Sequence, residues 1–118
     1  MAIEVDADLS EEKAGPDVVT VRGELDLESA FAVATRFGDV VESRDGAVVI
    51  DLCHVSFMDS TGLNVLLTVF RRLRKGGRAM AIVCPPGPVR RVFELTRMVD
   101  TLSVRDDRGS ALATVATG

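Results

Sequence analysis

The side chains best placed to do chemistry stand in one short run. Asp59-Ser60-Thr61-Gly62 follows an apolar segment and opens a stretch with helical periodicity. A serine there lies at the positive end of a helix dipole, beside backbone N–H groups that have no intrahelical partner. Asp59 or Ser60 is then the N-cap, since Asp and Ser are preferred caps. Two features point past a plain cap. Gly62 falls in the first turn, where Ala would make a better helix by up to ~1 kcal/mol, and its missing side chain lets another surface approach Ser60 closely. Phe57-Met58 precedes the polar run, and such a pair in a loop is candidate contact surface. Core packing is the plainer reading for Phe57; for Met58 the two readings are even.

As a catalytic nucleophile, Ser60 lacks a base. The one histidine of the chain is His54, read as a surface or packing residue, and no Gly-x-Ser-x-Gly elbow surrounds Ser60. There is no Gly-x-x-x-x-Gly-Lys-Ser/Thr phosphate loop and no Gly-x-Gly-x-x-Gly fingerprint. One His and two Cys do not build a typical structural zinc site from Cys and His alone. The expectation is no enzyme: no catalytic residue, no cofactor and no metal ligand.

Positioning falls to alternating strands and helices. Residues 3–8 alternate apolar and acidic, like a half-buried edge strand, and 10–17 supply Gly15, Pro16 and charges for a turn. Residues 18–22 are β-branched, so the two segments make an N-terminal hairpin. Residues 28–43 place Phe31, Ala34, Phe37, Val40 and Val41 on one helical face, with Asp26 placed to cap it. The apolar run 47–52 reads as a strand buried on both faces, followed by a loop over 53–59. A helix over about 60–75 carries Leu63, Leu66, Leu67, Phe70 and Arg74 at helical spacing, and Gly76-Gly77 ends it. Residues 79–84 form another buried strand. Pro85, Pro86 and Pro88 open a third helix that turns Val89, Val92, Phe93 and Thr96 inward. A short last strand over 102–105 and a short helix over 110–116 complete the chain.

The order β-β-α-β-α-β-α-β-α implies a single α/β domain over 1–118. Its mainly parallel mixed sheet has about five strands, with about four helices packed on it. Ser60 then lies at the carboxyl end of a central strand, where open α/β sheets meet ligands and partners.

Composition narrows the function classes. With 118 residues the chain makes one domain. Eighteen acidic and fourteen basic residues give a net charge of −4, which argues against nonspecific DNA binding. Trp and Tyr are absent and Phe occurs five times, so there is no aromatic platform for single-stranded bases. The basic run RRLRKGGR at 71–78, with Arg90 and Arg91, reads first as a solvated helix end whose cations complement the dipole. An anion-binding patch or docking site is its second reading. Cys53 and Cys84 read as free thiols in a cytosolic core. The acidic N-terminus is not a signal peptide, and no run approaches the ~18–20 apolar residues of a membrane span. The default location is the cytoplasm.

VSFMDSTGLNVLL at 55–67 resembles the signature segment of STAS-domain anti-sigma-factor antagonists. GELDLESA at 23–30 is similar to that family's turn between a strand and the first helix, and PPGPVRRVFELTRMVDTL at 85–102 more weakly to its third helix. The resemblance implies a STAS-like fold and a partner switch. Ser60 matches the serine phosphorylated by a serine kinase that is also an anti-sigma factor. The unphosphorylated form binds that kinase and frees a sigma factor, and a serine phosphatase resets the cycle. Asp26, Met58, Asp59, Thr61 and Gly62 are the implied partner-binding residues. Thr61 stands where the family often has a second serine, and is the weaker alternative acceptor. No direct contact with nucleic acid or membrane is implied. A second role in the same fold is an accessory subunit that binds the ATPase of a membrane transport system, without a phosphorylation cycle.

Overall fold

The computed structural model describes residues 4–7 and 15–116. Its elements run β1 (Glu4–Ala7), β2 (Asp17–Leu25), α1 (Ala30–Ser43), β3 (Val48–Met58), α2 (Ser60–Lys75), β4 (Met80–Val83), α3 (Pro88–Leu95), β5 (Val104–Arg105) and α4 (Arg108–Ala116). Residues 10–14 of the anticipated turn, and positions 3 and 8 of the anticipated first strand, lie outside the described residues.

The five strands stand side by side in chain order, β1 antiparallel to β2 and the rest parallel. Because the parallel order never reverses, right-handed crossovers place α1, α2 and α3 on the same face of the sheet. The main core forms there. Val33, Phe37 and Val40 of α1, Leu63, Leu66, Val69 and Leu73 of α2, and Val89 and Phe93 of α3 cover Val19, Val21, Ile50, Leu52 and Ile82. After β5 the chain is free to cross the other face, where α4 lays Ala111 and Val115 on Val49, Ala81 and Val83. The first half of β3 is therefore buried on both sides, which is why 48–52 is an uninterrupted apolar run apart from Asp51. Asp51 is satisfied by ionic and backbone contacts: Arg108 Nη2 donates to its Oδ2 at 2.6 Å and the Cys53 amide to its Oδ1 at 2.9 Å.

Several inward-facing assignments need correction. Strand β3 does not end at Leu52 but runs to Met58, so Cys53 and His54 lie on a strand rather than in a loop. Two register shifts against β2 each give β3 one extra residue, between Thr20 and Arg22 and between Gly23 and Glu24. The side chains turned inward are then Leu52, Val55 and Met58, every third residue rather than every second. Phe57, read as core, is 49% exposed, and Met58, offered as a partner contact, is buried at 4%. Cys84 is buried, but Cys53 is exposed rather than in the core.

On α1 the buried stripe is Val33-Phe37-Val40, while Phe31 and Ala34 face solvent. Six residues at 3.6 per turn leave Phe31 about 120° round the helix from Phe37, off the stripe. Arg74 of α2 and Thr96, the C-cap of α3, are likewise exposed rather than inward. In the basic run Arg78 is structural: its Nε and Nη1 donate to Gly46 O and Val41 O, tying the end of α1 to the start of β4. Arg71, Arg74 and Lys75 are exposed on the last turns of α2, as cations complementing a helix C-terminus.

Candidate functional site

The site is made where β2 and β3 end together. Leu25 and Met58 are register partners, so the loop after β2 and the step from β3 into α2 lie side by side. Asp59 is the N-cap of α2, in an extended conformation with φ −109 and ψ −173. Its Oδ1 accepts the Gly62 amide at 3.0 Å, which is the capping bond. Its Oδ2 accepts the Leu27 amide at 3.3 Å from across the neighbouring loop. Its own amide donates to Leu25 O at 3.3 Å. One residue thus closes the helix start and ties it to the end of β2.

Gly62 completes that junction. A Cβ there would lie 2.3 Å from Leu25 O and 2.8 Å from Leu25 Cγ. Only a residue without a side chain lets the first turn of α2 rest on the end of β2. Gly62 is buried, so its role here is internal packing, not clearance for an approaching partner.

Ser60, the first residue of α2, is exposed. Asp59 supplies the cap, and among the described residues the Ser60 hydroxyl has no hydrogen-bond partner. Thr61 is half-buried. Asp26 lies in the adjacent loop, as the resemblance implied, but does not cap α1. The N-cap position of α1 belongs to Ser29. Asp26 and Ser29 instead brace the loop: Asp26 Oδ1 accepts the Ser29 amide at 3.1 Å and Ser29 Oγ accepts the Asp26 amide at 3.0 Å. The buried Ser29 hydroxyl donates to Glu24 O at 2.7 Å, anchoring the loop to β2.

Three exposed apolar side chains belong to the elements that meet at this end of the sheet. Leu27 is 75% exposed at the tip of the loop, and Phe31, one helical turn on, is 85% exposed. The half-exposed Phe57 stands three residues before Ser60 on β3. Exposed large apolar side chains of this kind are candidates for a contact surface. Sequence reasoning did not single out Leu27 and turned Phe31 inward, while it offered Phe57 as contact surface with core packing as the plainer reading. The available signal was Val33, which at i and i+4 with Phe37 defines a stripe that leaves Phe31 outside it.

The carboxyl ends of β3 and β4 also border a small cleft beside the start of α3, of about 180 Å³, which includes Cys53, Cys84 and Pro86 in its walls. That is below the ~300 Å³ at which small-molecule sites begin. Partial desolvation first, then the Asp51 carboxylate, pushes the Cys53 thiol up to about 11; burial pushes Cys84 to about 11 as well. Among the described residues no three His, Cys, Asp or Glu side chains are grouped to hold a metal ion, and no helix is long and apolar enough to cross a membrane.

A family model of the STAS domain matches residues 10–111. The anti-sigma-B factor antagonist of Listeria monocytogenes is 33% identical over 92 residues, covering 77% of this chain and 80% of its own length. The anti-sigma-F factor antagonist RsfB of Mycobacterium tuberculosis is 30% identical over 104 residues, covering 88% and 84%. The crystal structure of an anti-sigma factor antagonist from Mycobacterium paratuberculosis superimposes with a TM-score of 0.84 at 31% identity, covering 98% of this chain and 95% of that one.

Proposed function

This chain belongs to the STAS-domain family of anti-sigma factor antagonists, and we propose that it works as a non-enzymatic partner switch. Its unphosphorylated form binds a serine-kinase anti-sigma factor in the cytoplasm and thereby frees a sigma factor. Phosphorylation of Ser60 ends the binding, and a serine phosphatase restores it. The observation that carries this reading is the exposed Ser60 hydroxyl, without a hydrogen-bond partner among the described residues, at the helix start that Asp59 joins to the loop carrying the exposed Leu27. Thr61, half-buried, is less accessible to a kinase, which favours Ser60 as the acceptor.

The physics favours a switch at the interface over a switch of fold. A phosphoserine carries roughly −1.5 to −2 charges at neutral pH. At the N-terminus of α2 that charge is favourable by about 0.3–1 kcal/mol, while the neighbouring Asp59 carboxylate opposes it by a similar amount. The two terms offset, so the domain keeps its structure. At a contact surface the same group must be desolvated against apolar side chains, with steric overlap added. A loss of about 3 kcal/mol there is roughly a 150-fold change in affinity.

The test is a titration of wild type, Ser60→Ala and Ser60→Asp against the anti-sigma factor of the host, with melting temperatures alongside. Wild type and Ser60→Ala bind alike, and Ser60→Asp binds roughly 30-fold or more weaker while melting within about 2 °C of wild type. Equal binding by all three proteins refutes the switch. A Ser60→Asp variant that melts far lower makes it a folding effect instead.

A further inference from the structure

We propose that Asp59 is the positioning residue of the contact face: its carboxylate holds the apolar loop between β2 and α1 beside Ser60, so that one partner surface meets both. The inference rests on the partner-switch reading and assigns a residue that serves it through the loop.

Capping a helix needs one acceptor oxygen, and Oδ1 of Asp59 provides it to Gly62. The second oxygen faces away from the helix and accepts the amide of Leu27, thirty-two residues earlier in the chain. The remaining loop bonds join Glu24, Asp26 and Ser29 to one another and leave the loop tip out. Among the described residues, the Leu27 amide has no other partner. The tip carrying the exposed Leu27 side chain is therefore held to the start of α2 by Asp59.

Capping and tethering make different chemical demands, which separates them experimentally. Asn and Ser cap helices about as well as Asp. Neither offers a second acceptor: Asn would turn its amide NH₂ group, a donor, toward the Leu27 N–H, and Ser is too short to reach it. Asp59→Asn and Asp59→Ser thus keep the cap and lose the tether.

The experiment has two readouts on the full chain. In amide NMR spectra, the Leu27 proton moves upfield in both variants while the Gly62 proton keeps its hydrogen-bonded shift, with melting temperature changed by no more than about 3 °C. In a double-mutant cycle with Leu27→Ala, affinity for the anti-sigma factor falls about fivefold for Asp59→Asn in the parent. It falls no further when Leu27 is already Ala, because coupled residues are non-additive. An unmoved Leu27 resonance overturns the tether. Additive losses in the cycle overturn positioning, since Asp59 would then be touching the partner itself. If wild type binds no anti-sigma factor, the partner-switch reading fails, and the Leu27 resonance still decides whether Asp59 holds the loop.

Discussion

Replacing Gly62 with Ala tests how tightly the site is built. The new Cβ would sit 2.3 Å from Leu25 O, 3.0 Å from Leu25 C and 2.8 Å from Leu25 Cγ. Two of those three obstacles are backbone, and Leu25 is fully buried at the end of β2, so no side-chain rotation relieves the overlap. Either the first turn of α2 or the end of β2 must move by close to 1 Å. Overpacking of this kind costs about 1–3 kcal/mol, and a backbone obstacle puts it in the upper part of that range. Ala returns up to ~1 kcal/mol of helix propensity. The net loss is about 1–2 kcal/mol, or a melting temperature lower by roughly 4–10 °C for a domain of this size. Gly38 in the middle of α1 is the control. There the nearest atom to an added Cβ is Arg72 Nη1 at 3.7 Å, an ordinary contact. Gly38→Ala therefore gains about 0.5–1 kcal/mol. Urea and thermal unfolding of both variants is the assay. If the two substitutions shift stability in the same direction, the close approach of α2 to β2 is not what Gly62 provides.

Two further outcomes follow from the opposite face of the sheet. Burial alone would raise the Asp51 carboxyl, but the Arg108 guanidinium, with the Cys53 thiol and amide, outweighs it and holds the group below the usual carboxylate range. A carboxyl lower in the folded than the unfolded state contributes stability above its ordinary pKa, and that stability is lost as pH falls through the lowered value. Asp51→Asn should therefore flatten the acid limb of a urea-midpoint series. It should also cost about 1–2 kcal/mol at pH 7, modest for a buried carboxylate because Arg108 stays half-exposed; an unchanged acid limb refutes the assignment. Cys53, although exposed, has its thiol at about 11, so only about one molecule in a thousand is thiolate at pH 8. Alkylation followed by mass spectrometry should find Cys53 slow in wild type and faster in Asp51→Asn; rapid wild-type labelling contradicts the coupling.

What was legible in the sequence follows from how local each cause is. The first half of β3 and the inward leucines of α2 are readable because burial of a fixed face imposes a period on neighbouring residues. Asp59 as a cap is readable for the same reason, since its bond to Gly62 spans three residues. Phe31 misleads because its hydrophobicity is local while the buried stripe of α1 is chosen by where the helix lands on the sheet. The second half of β3 misleads because two extra residues change its period from two to three, a pattern that matches neither a strand nor a helix.

Those same extra residues are what bring the site together. Asp17 pairs with Val48 at the start of the β2–β3 ladder, but Leu25 pairs with Met58 at its end, so the offset has grown by two residues. Kept at the initial offset, Leu25 would stand opposite Ser56, and Asp59 would lie about 7 Å further along the strand direction. Its carboxylate would then be beyond reach of the Leu27 amide, and Gly62 would no longer rest on Leu25 O. Ser60 would open its helix apart from the loop that carries Leu27 and leads to Phe31. The irregular stretch that reads as a loop is thus the device that sets the start of α2, and with it Ser60, beside the loop carrying Leu27. Neither the spacing of Asp-Ser-Thr-Gly nor that of Gly-Glu-Leu-Asp contains that information; it resides in the pairing between them.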